Sequence, residues 1–212
     1  MSKVDASKFL FVFEYQDKDL KFILNSIYKC YLKIIASNIE VNNNENDIRD
    51  LFISDLYLDN YKLKQELDLI EFKFDKEIQT ETGRVDIRVL NTIKMMEGDF
   101  KPYYFIECKR LDGVINSENK NTLNDKYIND GINRFIEEKY HTYQEANAMI
   151  GFVVKEIDIE ENSKFFKFLN SHNFIDDFDY SYISSHITKS KKDFTLYHLM
   201  LNFSKIIKTT SN

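Results

Sequence analysis

Between Asp86 and Lys109 the chain places two carboxylates and a primary amine on two segments of strand-like composition. Asp86 stands in Gly83-Arg84-Val85-Asp86-Ile87-Arg88-Val89-Leu90; Glu107 and Lys109 flank Cys108 in Pro102-Tyr103-Tyr104-Phe105-Ile106-Glu107-Cys108-Lys109. Mg²⁺ prefers hard oxygen ligands in octahedral geometry and keeps several waters, so two carboxylates plus a backbone carbonyl suit it better than histidines do. Such a cation beside a phosphodiester lowers the pKa of its bound water and stabilises charge developing on the phosphate oxygens. A lysine at that point is a general base if desolvated and an electrostatic clamp if protonated. The chemistry open to these three side chains is metal-assisted phosphodiester hydrolysis.

The segments must bring the groups together. In the first, Arg84, Asp86 and Arg88 alternate with Val85, Ile87 and Val89, the period of two of a half-buried strand. In the second, a β-rich run opening on proline, Tyr103, Phe105, Glu107 and Lys109 share one side. Asn91-Thr92 and Met96-Glu97-Gly98-Asp99 supply turn chemistry for a hairpin that sets Asp86 opposite Glu107. A surface hairpin with cross-strand charges would carry a similar pattern in a chain with 30% charged residues. Against that, Glu107 directly follows the apolar run Tyr104-Phe105-Ile106, where a carboxylate is costly without a cation to neutralise it.

Gly-Arg-Val-Asp-Ile, a loop, then Tyr-Phe-Ile-Glu-Cys-Lys-Arg-Leu resembles the PD-(D/E)XK nuclease superfamily over about residues 70–110. The resemblance implies a restriction endonuclease-like fold, a mixed sheet flanked by helices, with Asp86 as first acid, Glu107 as second and Lys109 as the lysine. Val85 stands where the family's name-giving proline would be. It further implies Mg²⁺, with Mn²⁺ as substitute, held by Asp86, Glu107 and the carbonyl of Cys108. The substrate would be DNA, with RNA a less favoured one, and the setting restriction or antiphage defence. A homodimer or larger defence complex would suit double-strand cleavage, which needs two sites. Relatives often carry a glutamate on the preceding helix that holds a water. Glu45, at the start of an apolar-periodic segment (Ile48, Leu51, Phe52, Leu56), is the candidate, with Glu66 and Glu71 as rivals. On the helix after the lysine strand, Arg134, and more weakly Gln144, could meet a phosphate. A catalytically inactive module of the same fold, bound to nucleic acid or a protein complex, is the alternative.

Composition sets the frame. The chain has 212 residues, 43% hydrophobic and 15% aromatic with one proline, enough apolar material for one helix-covered α/β domain. Its parts would be a helical stretch over 1–65, a core over about 66–155, and a helix and strands over 156–212. Cys30 and Cys108 have no metal-ligand spacing, and the sulfur of Cys108 is expected in the core. His141, His172, His186 and His198 show no zinc spacing, and His198 reads as a sheet residue. There is no phosphate-binding Gly-x-x-x-x-Gly-Lys loop and no nucleophile-elbow serine. No apolar stretch approaches a membrane span, and Phe9–Phe13 is short and followed by acids, so a cytoplasmic protein is expected. A net charge of −6 gives no long-range attraction to nucleic acid. Residues 40–81 alone carry twelve acids and five bases, however, and from His186 onward five lysines face one aspartate, so a local basic surface there is compatible with the whole.

The expected order is helix, helix, three strands, helix, strand, helix, two strands. Asp19–Ile39 reads as an amphipathic helix, with Leu20, Ile23, Leu24, Ile27, Tyr31 and Ile34 on one face. Strands are expected over Leu69–Ile78, Met149–Val154 and Phe194–Phe203, and helices over Asn124–Glu138 and Ile159–Leu169. A polar loop is expected through Asn116-Ser117-Glu118-Asn119.

Overall fold

A computed structural model describes residues 7–99, 101, 103–114, 121–140, 145–169 and 173–208, with the side chains of 7–17 outside the description. Pro102, the 116–119 loop, His141, Gln144 and His172 lie outside the described residues. Three helices, α1 (Ser7–Ser37), α2 (Glu45–Phe52) and α3 (Tyr61–Glu66), precede the hairpin strands β1 (Phe72–Gln79) and β2 (Arg84–Asn91). A short α4 (Thr92–Met96) leads to β3 (Tyr103–Leu111). Then come α5 (Leu123–Tyr127), a π-turn over Ile128–Ile132, α6 (Asn133–Ile136), β4 (Ala146–Val153), α7 (Ile159–Ser163), β5 (Ser181–Ile187) and β6 (Asp193–Asn202). The six strands form one mixed sheet in the order β1-β2-β3-β4-β6-β5. β3, β4 and β6 run parallel, with antiparallel β2 and β1 on one side and β5 on the other. The expected α/β class with a mixed sheet is what the chain adopts.

Two apolar layers cover the sheet. One collects Leu20, Ile23, Leu24, Ile27 and Ile34 of α1, with Ile48 and Phe52 of α2, over Ile106, Cys108, Ile150 and Leu199. The other collects Tyr127, Ile132 and Phe135 of the α5–α6 segment over Phe105, Leu111, Met149 and Met200. β4 lies between both layers and all eight of its residues are buried, which explains its unbroken apolar run. Each α1 side chain in the first layer is shielded almost completely, worth roughly 1.5–3 kcal/mol apiece relative to exposure. Packing thus secures the helix more than its propensity does.

Several boundaries differ from the sequence reading. α1 already covers the described residues before Asp19, from Ser7, and ends where Asn38 turns left-handed at φ 52°. The strand expected from Leu69 starts at Phe72, because Asp68 (φ 55°) closes α3 and Leu69 N–H returns to the carbonyl of Lys64. The expected Asn124–Glu138 helix is two short α-helices joined by a π-turn. Ile159–Leu169 is helical only to Ser163, after which Phe165, Phe166 and Leu169 make tighter three-residue turns. Leu56, expected on the α2 apolar face, is 60% exposed because that helix stops at Phe52. The lysines after His186 do not form one surface. Lys189, Lys191 and Lys192 precede β6 and Lys205 and Lys208 follow it, so the ten-residue strand holds them about 30 Å apart.

Candidate active site

The geometry begins where β2 leaves β3. Their antiparallel ladder runs from Leu90 opposite Tyr103 to Ile87 opposite Ile106 and stops; the next step of that register would pair Asp86 with Glu107. Beyond Ile87 the main-chain pairing is replaced by a side chain, as Asp86 Oδ2 accepts the Cys108 N–H at 2.8 Å. On the other flank Glu77, opposite Asp86 in the β1–β2 register, has φ 54°. The strand changes course here. Ile87 and Val89 enter the α1 layer as expected, but Val85 enters the other one with Phe105 and Tyr140, which corrects the simple alternation. The opening between the strands is where the acids meet.

At its centre is the ammonium of Lys109. Nζ lies 2.6 Å from the carbonyl oxygen of Cys108, 3.0 Å from Glu107 Oε1, 3.1 Å from Glu45 Oε1 and 3.5 Å from Asp86 Oδ2. Asp86, Glu107, Glu45 and the Cys108 carbonyl therefore converge on Lys109. Glu45 opens α2, whose N-cap Asn44 accepts the N–H groups of Asn46 and Asp47 and so fixes the first turn beside β3. Its rivals are elsewhere: Glu66 pairs with Lys33 and Glu71 with Asn91. Cys108 turns its sulfur into the α1 layer, as the strand alternation requires, and burial pushes its thiol pKa well up.

Glu107 is fully buried and both its oxygens are claimed. Oε1 accepts from Lys109 and from Arg134 Nη1 at 3.0 Å, and Oε2 lies 2.9 Å from the Tyr140 hydroxyl. That hydroxyl accepts from Arg134 Nη1 at 3.0 Å and lies 3.1 Å from the carbonyl of Arg84. Desolvation pushes the Glu107 pKa up to about 7; Lys109 opposes this and Asp86 adds to it. For Lys109 burial works against the charged form, but Glu107, Asp86 and Glu45 together outweigh it and hold the amine as an ammonium.

Two residues of this arrangement went unrecognised in the sequence. Tyr140, 2% exposed, carried no signal beyond being aromatic after a helix. Arg49, 1% exposed, sits one turn after Glu45 on α2 and donates to Asp86 Oδ1 at 3.4 Å, to Glu77 at 3.1 Å and to Asp50 at 2.7 Å. The Glu45/Arg49 spacing, i to i+4 on one helix face, was the available clue. Arg134, expected to face a phosphate, is tied to Glu107 and Tyr140.

Glu45, Asp86, Glu107, Lys109, Arg134 and Tyr140 border a cleft of about 350 Å³. The oxygens that Lys109 gathers are those a divalent cation would take, so the donor set fits one: Asp86, Glu107 and the Cys108 carbonyl. Among the described residues no group of three or more His, Cys, Asp and Glu side chains is arranged to hold a metal. A cation here would complete its shell with water and substrate oxygens, as Mg²⁺ commonly does. Comparison with protein-family models, curated proteins and solved structures gave no match.

Proposed function

We propose that this chain is a divalent-metal-dependent nuclease that hydrolyses phosphodiester bonds of DNA, on a restriction endonuclease-like PD-(D/E)XK arrangement. The observation that carries the reading is the convergence of Asp86 Oδ2, Glu107 Oε1 and the Cys108 carbonyl on one buried cation position in an open cleft. Asp86 and Glu107 are the metal-holding acids, with the Cys108 carbonyl beside them. Bound Mg²⁺, or Mn²⁺ in its place, would supply the Lewis acidity that polarises the phosphate and acidifies a water. Lys109 would leave those oxygens to the metal and stand beside it, as the clamp on charge developing at the phosphate when protonated and as the general base when it is not. Glu45 orients a water at the cleft. Arg134 and Tyr140 keep the Glu107 carboxylate in one orientation, so no reorganisation is needed as charge develops.

Plasmid and linear DNA incubated with Mg²⁺ or Mn²⁺ test this directly. The native chain should cleave, and Asp86→Ala and Lys109→Ala should each abolish cleavage. Retained cleavage in both variants would remove the site. A second reading, an inactive module of the same fold that docks on nucleic acid or a protein complex, is favoured by one fact: Lys109 already satisfies the oxygens a metal would take. Absence of cleavage on every DNA form would select it. Matched RNA and DNA substrates decide the nucleic acid, and a role in restriction or phage defence rests on the resemblance alone.

A further inference from the structure

A second cleft, of about 340 Å³, adjoins the first and shares Glu45, Arg84, Lys109 and Arg134 with it. Its far wall holds Arg110, the residue after Lys109 on β3, and Lys126 of α5. Among the described residues neither meets a carboxylate within ion-pair distance, whereas most other cations near the site do: Arg84 pairs with Glu77, Arg134 with Glu107 and Lys139 with Glu137. Two acids line this second cleft, Glu45 and Asp130, and Glu45 is already held by Lys109.

Arg110 is also held in place. Its Nη1 donates to the main-chain carbonyl of Asn43 at 2.7 Å and to Asn43 Oδ1 at 2.8 Å, two neutral acceptors that fix the guanidinium without neutralising it. Lys126 stands on a turn closed by a reciprocal cap between Thr122 and Asp125. Among the described residues of a chain of net charge −6, two cations are thus without an ion pair, one of them anchored, in a polar cleft that adjoins the acidic centre. Positive charge lining a cleft in this way raises the local concentration of anions there.

We infer that this second cleft binds the sugar-phosphate backbone of DNA beyond the phosphodiester held at Lys109, with Arg110 and Lys126 each contacting a flanking phosphate. The inference rests on the nuclease reading and specifies how its substrate lies. Such contacts are independent of base sequence and release condensed counterions, so they appear in the salt dependence of binding.

The test measures binding of a fluorescently labelled duplex of mixed sequence in EDTA, so that cleavage cannot interfere, across a salt series. Arg110→Ala/Lys126→Ala is compared with the native chain and with the charge-matched pair Lys164→Ala/Lys167→Ala, which lines neither cleft. Circular dichroism checks that each is folded. The first pair should reduce the steepness of log K against log salt by about 2, near 0.9 for each phosphate contact, and weaken unrelated sequences to the same degree. The second pair should leave the slope unchanged. Equal effects of both pairs, or a native chain that binds no duplex at any salt, would overturn the subsite. Tighter binding of matched RNA through the same two residues would overturn its assignment to DNA. Metal-dependent cleavage is measured separately. Cleavage with an indifferent slope removes the subsite and leaves the nuclease reading; the altered slope without cleavage keeps the cleft as a DNA site and removes the nuclease.

Discussion

Tyr140 has one hydroxyl proton and two acceptors within reach, Glu107 Oε2 and the Arg84 carbonyl, while Arg134 donates to it. It is the point at which a buried carboxylate, a guanidinium and the start of β2 are tied. Tyr140→Phe keeps the ring packing against Phe105 and Phe135 and removes only that tie. Leaving Glu107 short of a donor costs about 1–3 kcal/mol. On the proposed nuclease reading, DNA cleavage should fall by roughly 10- to 100-fold, since each 1.4 kcal/mol of lost transition-state stabilisation is tenfold in rate. Steady-state kinetics beside a thermal melt read both effects, and an unchanged kcat would show that Glu107 needs no such support. Arg49 acts in the same way on Asp86. Arg49→Leu leaves a nearly buried Asp86 beside Glu77 without its guanidinium, and breaking a buried pair costs about 3–5 kcal/mol. The low end applies here, about 3 kcal/mol, because Asp50 and Glu77 are both substantially exposed and solvent screens them. Urea denaturation would register that loss; a change under 1 kcal/mol would reduce Arg49 to a bystander.

At the scale of elements, the placement of Arg134 depends on the π-turn. Ile128–Ile132 adds a residue to what would otherwise be one α-helix, and so rotates the following turn relative to the preceding one. Tyr127 and Phe135 both remain buried while Arg134 reaches Glu107. Gly131 sits in this turn against the sheet, where an added Cβ would come within 2.5 Å of Met149 Cε and 3.5 Å of Lys109 Cγ. The first contact is with the end of a flexible side chain, so Gly131→Ala should cost only about 1 kcal/mol. Gly131→Ala/Met149→Leu should recover most of it, because the clashing methyl is gone. A double-mutant cycle by thermal denaturation checks the coupling, and strict additivity would contradict the contact. Deleting Asn129 goes further: it restores a regular helix, turns Arg134 away from Glu107, and should lower cleavage at least as far as Tyr140→Phe does.

At the scale of the whole molecule, β5, β6 and α5 are joined by a polar chain inside the second apolar layer. His198 Nδ1 lies 2.9 Å from the Tyr127 hydroxyl and Nε2 lies 2.7 Å from Ser184 Oγ, which in turn lies 2.6 Å from His186 Nε2. Burial, with a smaller contribution from the nearby His186, pushes the His198 pKa down to about 3. The native ring is therefore neutral, and its share of stability is fully present above the unfolded value near 6.5. As pH falls from there toward 3 the unfolded chain takes up a proton that the native chain refuses. Stability drops by at most about 1.4 kcal/mol per pH unit from this group. Imidazole NMR should find His198 neutral at pH 5 in a folded sample; a protonated ring in the folded protein at that pH would sink the account. The same acid range should loosen the β5 edge of the sheet first.

The sequence alone settled what local pattern can carry. The apolar face of α1, the buried run of β4 and the Asp86, Glu107 and Lys109 constellation were legible because strand and helix periodicities operate within a few residues. That Asp86 and Glu107 lie on neighbouring strands was legible too, but their direct pairing was not: the ladder ends one step short of them and α4 stands where a hairpin turn was expected. Tertiary structure decided the rest. It chose Glu45 over Glu66 and Glu71 by seating α2 against β3, and it brought Tyr140 and Arg49 to the carboxylates from elements remote in the chain. It also put the unpaired cations at Arg110 and Lys126, where the lysine count after His186 gave no hint. These outcomes depend on which helix covers which edge of the sheet and where two strands part. Contacts of that range leave no periodic trace in a sequence.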